Sequence, residues 1–102
     1  MSFVNVGRLG VLPGKRDEFV AYLTRSSEEL AEAGCLLYEV GVNGDDPDAV
    51  FVAEFWISEE AHQASLELPE VKAAIAEARP LLSGDFGGTR FTVVGSPLRT
   101  DS

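Results

Sequence analysis

Residues 49–57 read A-V-F-V-A-E-F-W-I, apolar from end to end apart from Glu54. Successive side chains of a strand point to opposite faces of its sheet. Val50 and Val52 therefore face one way, and Phe51, Ala53 and Phe55 the other. Residues 3–12, F-V-N-V-G-R-L-G-V-L, pose the same problem: Phe3, Asn5, Gly7, Leu9 and Val11 share one face, and Val4, Val6, Arg8, Gly10 and Leu12 the other. Two strands that are apolar on both sides need cover on both sides of their sheet.

The elements between them limit what that cover can be. From Lys15 the apolar spacing becomes helical, with Phe19, Leu23, Leu30 and Ala33 on an inner stripe and Gly34 as the stop. Ser26 is the polar member of that stripe. Leu36–Asn43 reads as a strand, and the turn formers Gly44–Asp48 join it to residues 49–57 as an antiparallel hairpin. Ser58 caps a helix with Ala61, Ser65 and Leu68 on its inner stripe. Pro69 starts another helix with Val71, Ile75, Ala78 and Leu82 inward, and Pro80 ends it. Gly84, Gly87 and Gly88 read as a flexible turn before a last strand, Thr89–Val94. The order βαββαβ is that of a ferredoxin-like α+β domain with an antiparallel sheet. Such a sheet carries helices on one face, so the other face would be an exposed apolar patch. A second copy packed sheet to sheet covers it, so a homodimer is expected, with a partner protein as the alternative.

Length and charge narrow the class. At 102 residues the chain reads as one domain over 1–102, with its core at about 3–94 and a loosely held tail at 96–102. The net charge of −9 and the scattered basic residues exclude nucleic acid and anionic membrane surfaces as partners. No apolar run approaches the ~20 residues of a membrane span, and the N-terminus lacks the features of a signal peptide. The single cysteine, Cys35, permits no internal disulfide and suits a cytoplasmic setting. One histidine, with no second at helical spacing, gives no ligand set for zinc or non-haem iron. The glycines form no nucleotide cradle, so neither metal nor cofactor is expected.

Candidate site residues gather where the third strand passes into the second helix. Trp56 and His62, the only Trp and the only His, lie six residues apart across that junction. Trp56 reads as a core aromatic that seals the strand–helix junction, a place that also suits the wall of a pocket. His62 sits at the edge of its helix's inner stripe, as a surface residue or as a general base near neutrality. Asn5, Ser26 and Ser65 are polar exceptions on apolar stripes, bonded to backbone or lining a pocket. Tyr38 reads as core or as part of that pocket. Glu54 on its apolar strand needs a partner, and a structural ion pair with Arg8 or Arg90 is expected. Arg79 reads as a solvated helical residue, with an anionic ligand as the alternative; Cys35 reads as a buried thiol.

Three segments in order carry a resemblance: L-P-G-K-R-D-E-F (12–19), A-G-C-L-L-Y-E-V (33–40) and E-F-W-I-S-E-E-A-H (54–62). Together they resemble the antibiotic biosynthesis monooxygenase family of dimeric α+β barrels, over about residues 3–94. That family includes cofactor-free aromatic oxygenases, quinol monooxygenase-like proteins, haem-degrading enzymes and small-molecule isomerases. Many members carry a His nine residues after the motif's Trp; Ser65 stands there. The Asn, Trp and haem-ligating His of haem-degrading members fall on Gly7, Ser65 and about Ile75, so haem degradation is rejected. Some aromatic oxygenases place a proton-handling Tyr six residues after the Trp, the position of His62. The resemblance implies a cofactor-independent monooxygenase of a quinol, anthrone or similar aromatic, using O₂. His62 and Trp56 would be catalytic, with Asn5, Ser26, Tyr38 and Ser65 binding the substrate. The alternatives are a non-oxidative binding, stress or accessory protein, and an isomerase or lyase.

Overall fold

Strand β1 (Phe3–Val11) lies at the centre of the sheet, hydrogen-bonded on both sides to strands distant in sequence. The computed structural model describes residues 1–99. After β1 come α1 (Arg16–Leu23), α2 (Glu28–Glu32), β2 (Cys35–Gly41), β3 (Ala49–Trp56), α3 (Glu59–Ser65), α4 (Pro69–Ala78), a 3-10 turn (Arg79–Leu81) and β4 (Leu82–Thr92). The four strands form one antiparallel sheet in the order β2-β3-β1-β4. This is the ferredoxin-like α+β arrangement expected from the element order.

The register decides what faces the helices. Phe3 lies opposite Trp56, Asn5 opposite Glu54, Gly7 opposite Val52 and Leu9 opposite Val50. Phe3, Val11, Val50, Val52 and Trp56 are all buried on this side. Toward one end, Val11 and Val50 pack with Phe19 of α1 and with Ala78 and Leu81 at the end of α4. Toward the other, Phe3 and Trp56 meet His62 of α3.

Gly34 fixes the turn into β2. Its φ of +108° is a conformation that L side chains rarely adopt, and an added Cβ would stand 2.7 Å from Cγ1 of Ile57. Its carbonyl accepts the backbone N–H of Ile57 at 2.9 Å, which ties the end of β3 to the end of α2.

Two expectations are corrected. The helix expected from Lys15 to Ala33 is two helices, broken over residues 24–27. Thr24 Oγ1 donates to the carbonyl of Val20 at 2.8 Å, and Ser27 Oγ accepts the N–H of Leu30 as an N-cap. Two such side chains bonding local backbone within four residues offer an alternative to the helical ladder. Ser26 therefore lies in the break, exposed, and not on a buried stripe. The glycines at 84, 87 and 88 are not a turn but part of β4, which begins at Leu82. Gly87 and Gly88 pair with Arg8 and Gly7. At Gly88, with φ +136°, a Cβ would collide with the backbone carbonyl of Val6, so glycine permits the two strands to approach.

The other face of the sheet carries no helix. Val6, Leu37 and Phe91 are 38%, 47% and 51% exposed there, beside Val4, Phe51 and Phe55. The Arg99 guanidinium lies 5.0 Å over the Phe55 ring. Of the tail expected to be loosely held, residues 100–102 lie outside the described residues. Arg8, also on this face, donates to Asp46 through Nε at 2.7 Å and Nη2 at 3.1 Å, and to Asp85 at 3.1 Å.

The Arg8 hydrogen bond holds the Asp46 carboxyl below its ordinary 3.8. A lowered carboxyl stabilises the folded state at neutral pH, and that contribution is lost as pH falls through the folded value. Asp46→Asn is expected to be less stable than the wild type at pH 7, with the gap closing toward about pH 2. Urea denaturation at a series of pH values measures this; a gap independent of pH would show that the ion pair contributes nothing.

Candidate functional site

Between the helix-side face of the sheet and α1–α4 lies a cavity of about 1030 Å³, lined by side chains from β1, β2, β3, α1, α3, α4 and β4. That is at the upper end of the sizes usual for small-molecule sites. Most of its wall is apolar, as in Leu9, Phe19, Leu30, Val71 and Phe86. Its polar groups concentrate where β3 ends.

Glu54 is the centre of that polar group, and it is 8% exposed. Asn5 Nδ2 donates to its Oε2 at 2.7 Å, and Trp56 Nε1 donates to its Oε1 at 3.1 Å. His62 Nε2 stands 3.8 Å from the same Oε1. The expected ion pair with Arg8 or Arg90 is absent among the described residues. Arg8 points to the opposite face and is taken by Asp46 and Asp85. Arg90 is opposite Asn5 on β4 but exposed, and it forms no ion pair with Glu54.

Trp56 is 1% exposed and lines the cavity, so its two readings, core aromatic and pocket wall, coincide in one side chain. His62 is not at a solvent boundary: it is 7% exposed, 5.5 Å from the Phe3 ring and edge-on to Trp56 at 5.3 Å. The Ser58 cap, whose Oγ accepts the Ala61 N–H at 3.0 Å, starts α3 at the edge of the sheet and turns this face inward. His62 Nδ1 is buried and has no hydrogen-bond partner.

The other expected binding residues divide. Tyr38, paired with Glu54 across β2 and β3, borders the cavity, and its hydroxyl has no hydrogen bond to another described residue. Burial, then the charges of Glu54 and Cys35, push this phenol well above its ordinary value, so it stays a donor. Ser65 also lines the cavity, but its hydroxyl donates to the carbonyl of His62 at 2.6 Å. Ser26 reaches the cavity from the α1–α2 break, beside Arg25, which pairs with Glu77 of α4 at 3.7 Å. Arg79 is an exposed member of the lining. Cys35 is half-buried and outside the cavity, its thiol pushed up by burial. Among the described residues, no group of three His, Cys, Asp or Glu could hold a metal ion, and no helix is long and apolar enough to cross a membrane.

The sequence predicts an arginine partner for Glu54, and the structure gives it the side chains of Asn5 and Trp56 instead. Two signals pointed to it: a lone carboxylate in an apolar strand, and the equally isolated Asn5 in the neighbouring one.

Residues 2–77 match the model of the antibiotic biosynthesis monooxygenase family. The chain belongs to this family. A protein from Chloroflexus aurantiacus J-10-fl that carries the family's name is 36% identical, with a TM-score of 0.80 over 94% of this chain and 96% of its own. A mutant of SnoaB, a cofactor-independent oxygenase from Streptomyces nogalater, is 18% identical and superposes with a TM-score of 0.77 over 96% and 98%. Rv0793 from Mycobacterium tuberculosis is 17% identical, with a TM-score of 0.74 over 95% and 99%. At such identities the last two relate by fold. No curated protein matches the chain.

Beside Trp56 the mostly apolar wall of the cavity has one polar corner, formed by Glu54, Asn5 and His62. Trp56→Phe keeps an aromatic ring there and removes the donor to Glu54 Oε1. Losing that bond to a buried carboxylate is expected to cost about 1–3 kcal/mol in urea denaturation. A loss below about 0.5 kcal/mol would show that the bond is dispensable.

Proposed function

We propose that this protein is a cofactor-independent monooxygenase acting on a quinol, anthrone or similar electron-rich hydroxyaromatic. The observation that carries the reading is the joining of Trp56, His62 and Glu54 at one end of a large, mostly apolar cavity. An anthrone supplies its own reducing electrons. Its enol loses a proton, and the resulting anion reacts with O₂. One oxygen atom becomes the new carbonyl and the other leaves as water, so a methylene and O₂ give a ketone and water. The protein's contribution is to position the ring, handle the proton and keep bulk water away.

In this reading His62 and Trp56 are the catalytic side chains, at the reacting hydroxyl and along the ring. Asn5 acts through the Glu54 carboxylate it holds, Tyr38 offers a hydroxyl to the ligand, and Ser26 and Ser65 contribute to the mouth and wall. SnoaB's description as a cofactor-independent oxygenase supports the class of chemistry. A cytoplasmic setting fits the single thiol.

The same reading has the protein work as a homodimer. Its support is the helix-free face of the sheet, with Val6, Leu37 and Phe91 exposed together, an apolar surface of the kind that soluble monomers rarely keep.

Two measurements test these statements. Oxygen uptake is expected with at least one member of a panel of anthrones and naphthoquinols. His62→Ala should lower its rate by about 10²-fold or more. No uptake by the wild type removes the oxygenase reading, and equal uptake by the variant removes His62 from it. In sedimentation velocity the wild type is expected as a dimer and Val6→Glu as a monomer; a monomeric wild type refutes the assembly.

A further inference from the structure

Packing alone does not account for Glu54. A carboxylate this deeply buried costs stability unless it is paired with a cation, and an apolar residue of its size would usually serve the fold at least as well. Its hydrogen-bond partners are two neutral N–H donors, from Asn5 and Trp56. A carboxylate has about four acceptor sites, so capacity remains on the side that borders the cavity.

The groups around it are donors too. His62 Nε2, at 3.8 Å from Oε1, is too far for a direct hydrogen bond, so a ligand oxygen can bond to both. Its Nδ1 is buried without a partner, and a proton there would have no acceptor. The neutral ring therefore carries its proton on Nε2, facing Glu54 and the cavity. In that form Nε2, the nitrogen that faces the cavity, donates and does not accept. The Tyr38 hydroxyl, across the strand pair, is a second donor. Of Glu54, His62 and Tyr38, which all line the cavity, the carboxylate is the group that accepts without donating.

We infer that Glu54 takes the proton from the ligand's hydroxyl, while His62 Nε2–H and the Tyr38 hydroxyl donate to the oxygen left behind. The inference rests on the pocket being a hydroxyaromatic site, as proposed above. It revises the sequence-based expectation that His62 is the base. The ligand's O–H bond breaks, a new O–H bond forms at Glu54 Oε1, and the electron pair stays on the ligand oxygen, ready to reduce O₂. The selectivity that follows is for neutral hydroxyaromatics over aromatic acids and phenolates, whose charge the carboxylate repels.

The binding test needs no turnover and uses 4-nitrophenol, whose own absorbance reports its ionisation, with the full chain. Wild-type affinity should fall about tenfold or more as the probe ionises between about pH 5.5 and pH 8.5. In Glu54→Gln, and in Glu54→Met, which removes the charge without shrinking the side chain, the fall should shrink below about threefold. His62→Gln should keep the wild-type fall. A fall that survives in both Glu54 variants, one that disappears in His62→Gln, or a wild type that does not bind the probe overturns the inference.

The kinetic test follows the acidic limb of the pH–rate profile for oxygen uptake. It should vanish in Glu54→Gln, with kcat down about 10²-fold or more, and persist in His62→Gln; the reverse assignment sinks the inference alone. If the wild type takes up no oxygen while the binding fall still follows Glu54, the oxygenase reading fails and the proton acceptor stands.

Discussion

Everything in the helix-side half of the molecule depends on the register between β1 and β3. With Asn5 opposite Glu54 and Phe3 opposite Trp56, the carboxylate, its two donors and the floor of the cavity fall on one face. A slip of one residue would turn all of β3 over, placing Glu54 and Trp56 against the helix-free side and Phe51 and Phe55 inside. Because both faces of β3 are apolar, its hydrophobic pattern discriminates weakly between the two. The polar pair helps to break the tie: Asn5 and Glu54 satisfy one another only in the observed register.

The strand order, the antiparallel sheet, the helix starts at Ser58 and Pro69 and the stop at Gly34 were legible in the sequence. The sheet is written in apolar alternation and a short turn, and the helix ends in local chemistry: a cap, a proline at a first turn, a glycine with positive φ. The break between α1 and α2 was not, because Phe19, Leu23 and Leu30 keep helical spacing across it. Only the backbone bonds made by Thr24 and Ser27 reveal the competition. The length of β4 was hidden for the opposite reason. Gly84, Gly87 and Gly88 read as a turn, whereas Gly88 is needed where β4 crosses close to the backbone of Val6.

The site was half legible. Trp56, His62 and Asn5 could be singled out as rare or misplaced residue types, and the structure brings them within one hydrogen-bonded and aromatic cluster. What joins them is Glu54, and its partners could not be read from spacing. Asn5 and Glu54 are 49 residues apart and meet only through the sheet. A charge rule of thumb sent Glu54 toward an arginine. The arginine on β1 points to the other face, where two aspartates compete for it.

The break at residues 24–27 has a consequence for how the cavity fills. Helix α2 has five residues, too few to be stable without its surroundings. The side-chain ties of this segment are the Thr24 and Ser27 bonds to local backbone, the Arg25 guanidinium over the Tyr22 ring, a Glu29–Glu70 hydrogen bond and the exposed Arg25–Glu77 pair, and surface ties of this kind contribute little to stability. The sheet beneath is held by three ladders of backbone bonds. The wall bearing Ser26 and Leu30 therefore belongs to the low-stability end of the molecule, able to open locally while the floor bearing Glu54 stays folded. Under the proposed function, a bulky polycyclic substrate would enter through this weak wall and leave the rigid corner around Glu54 undisturbed.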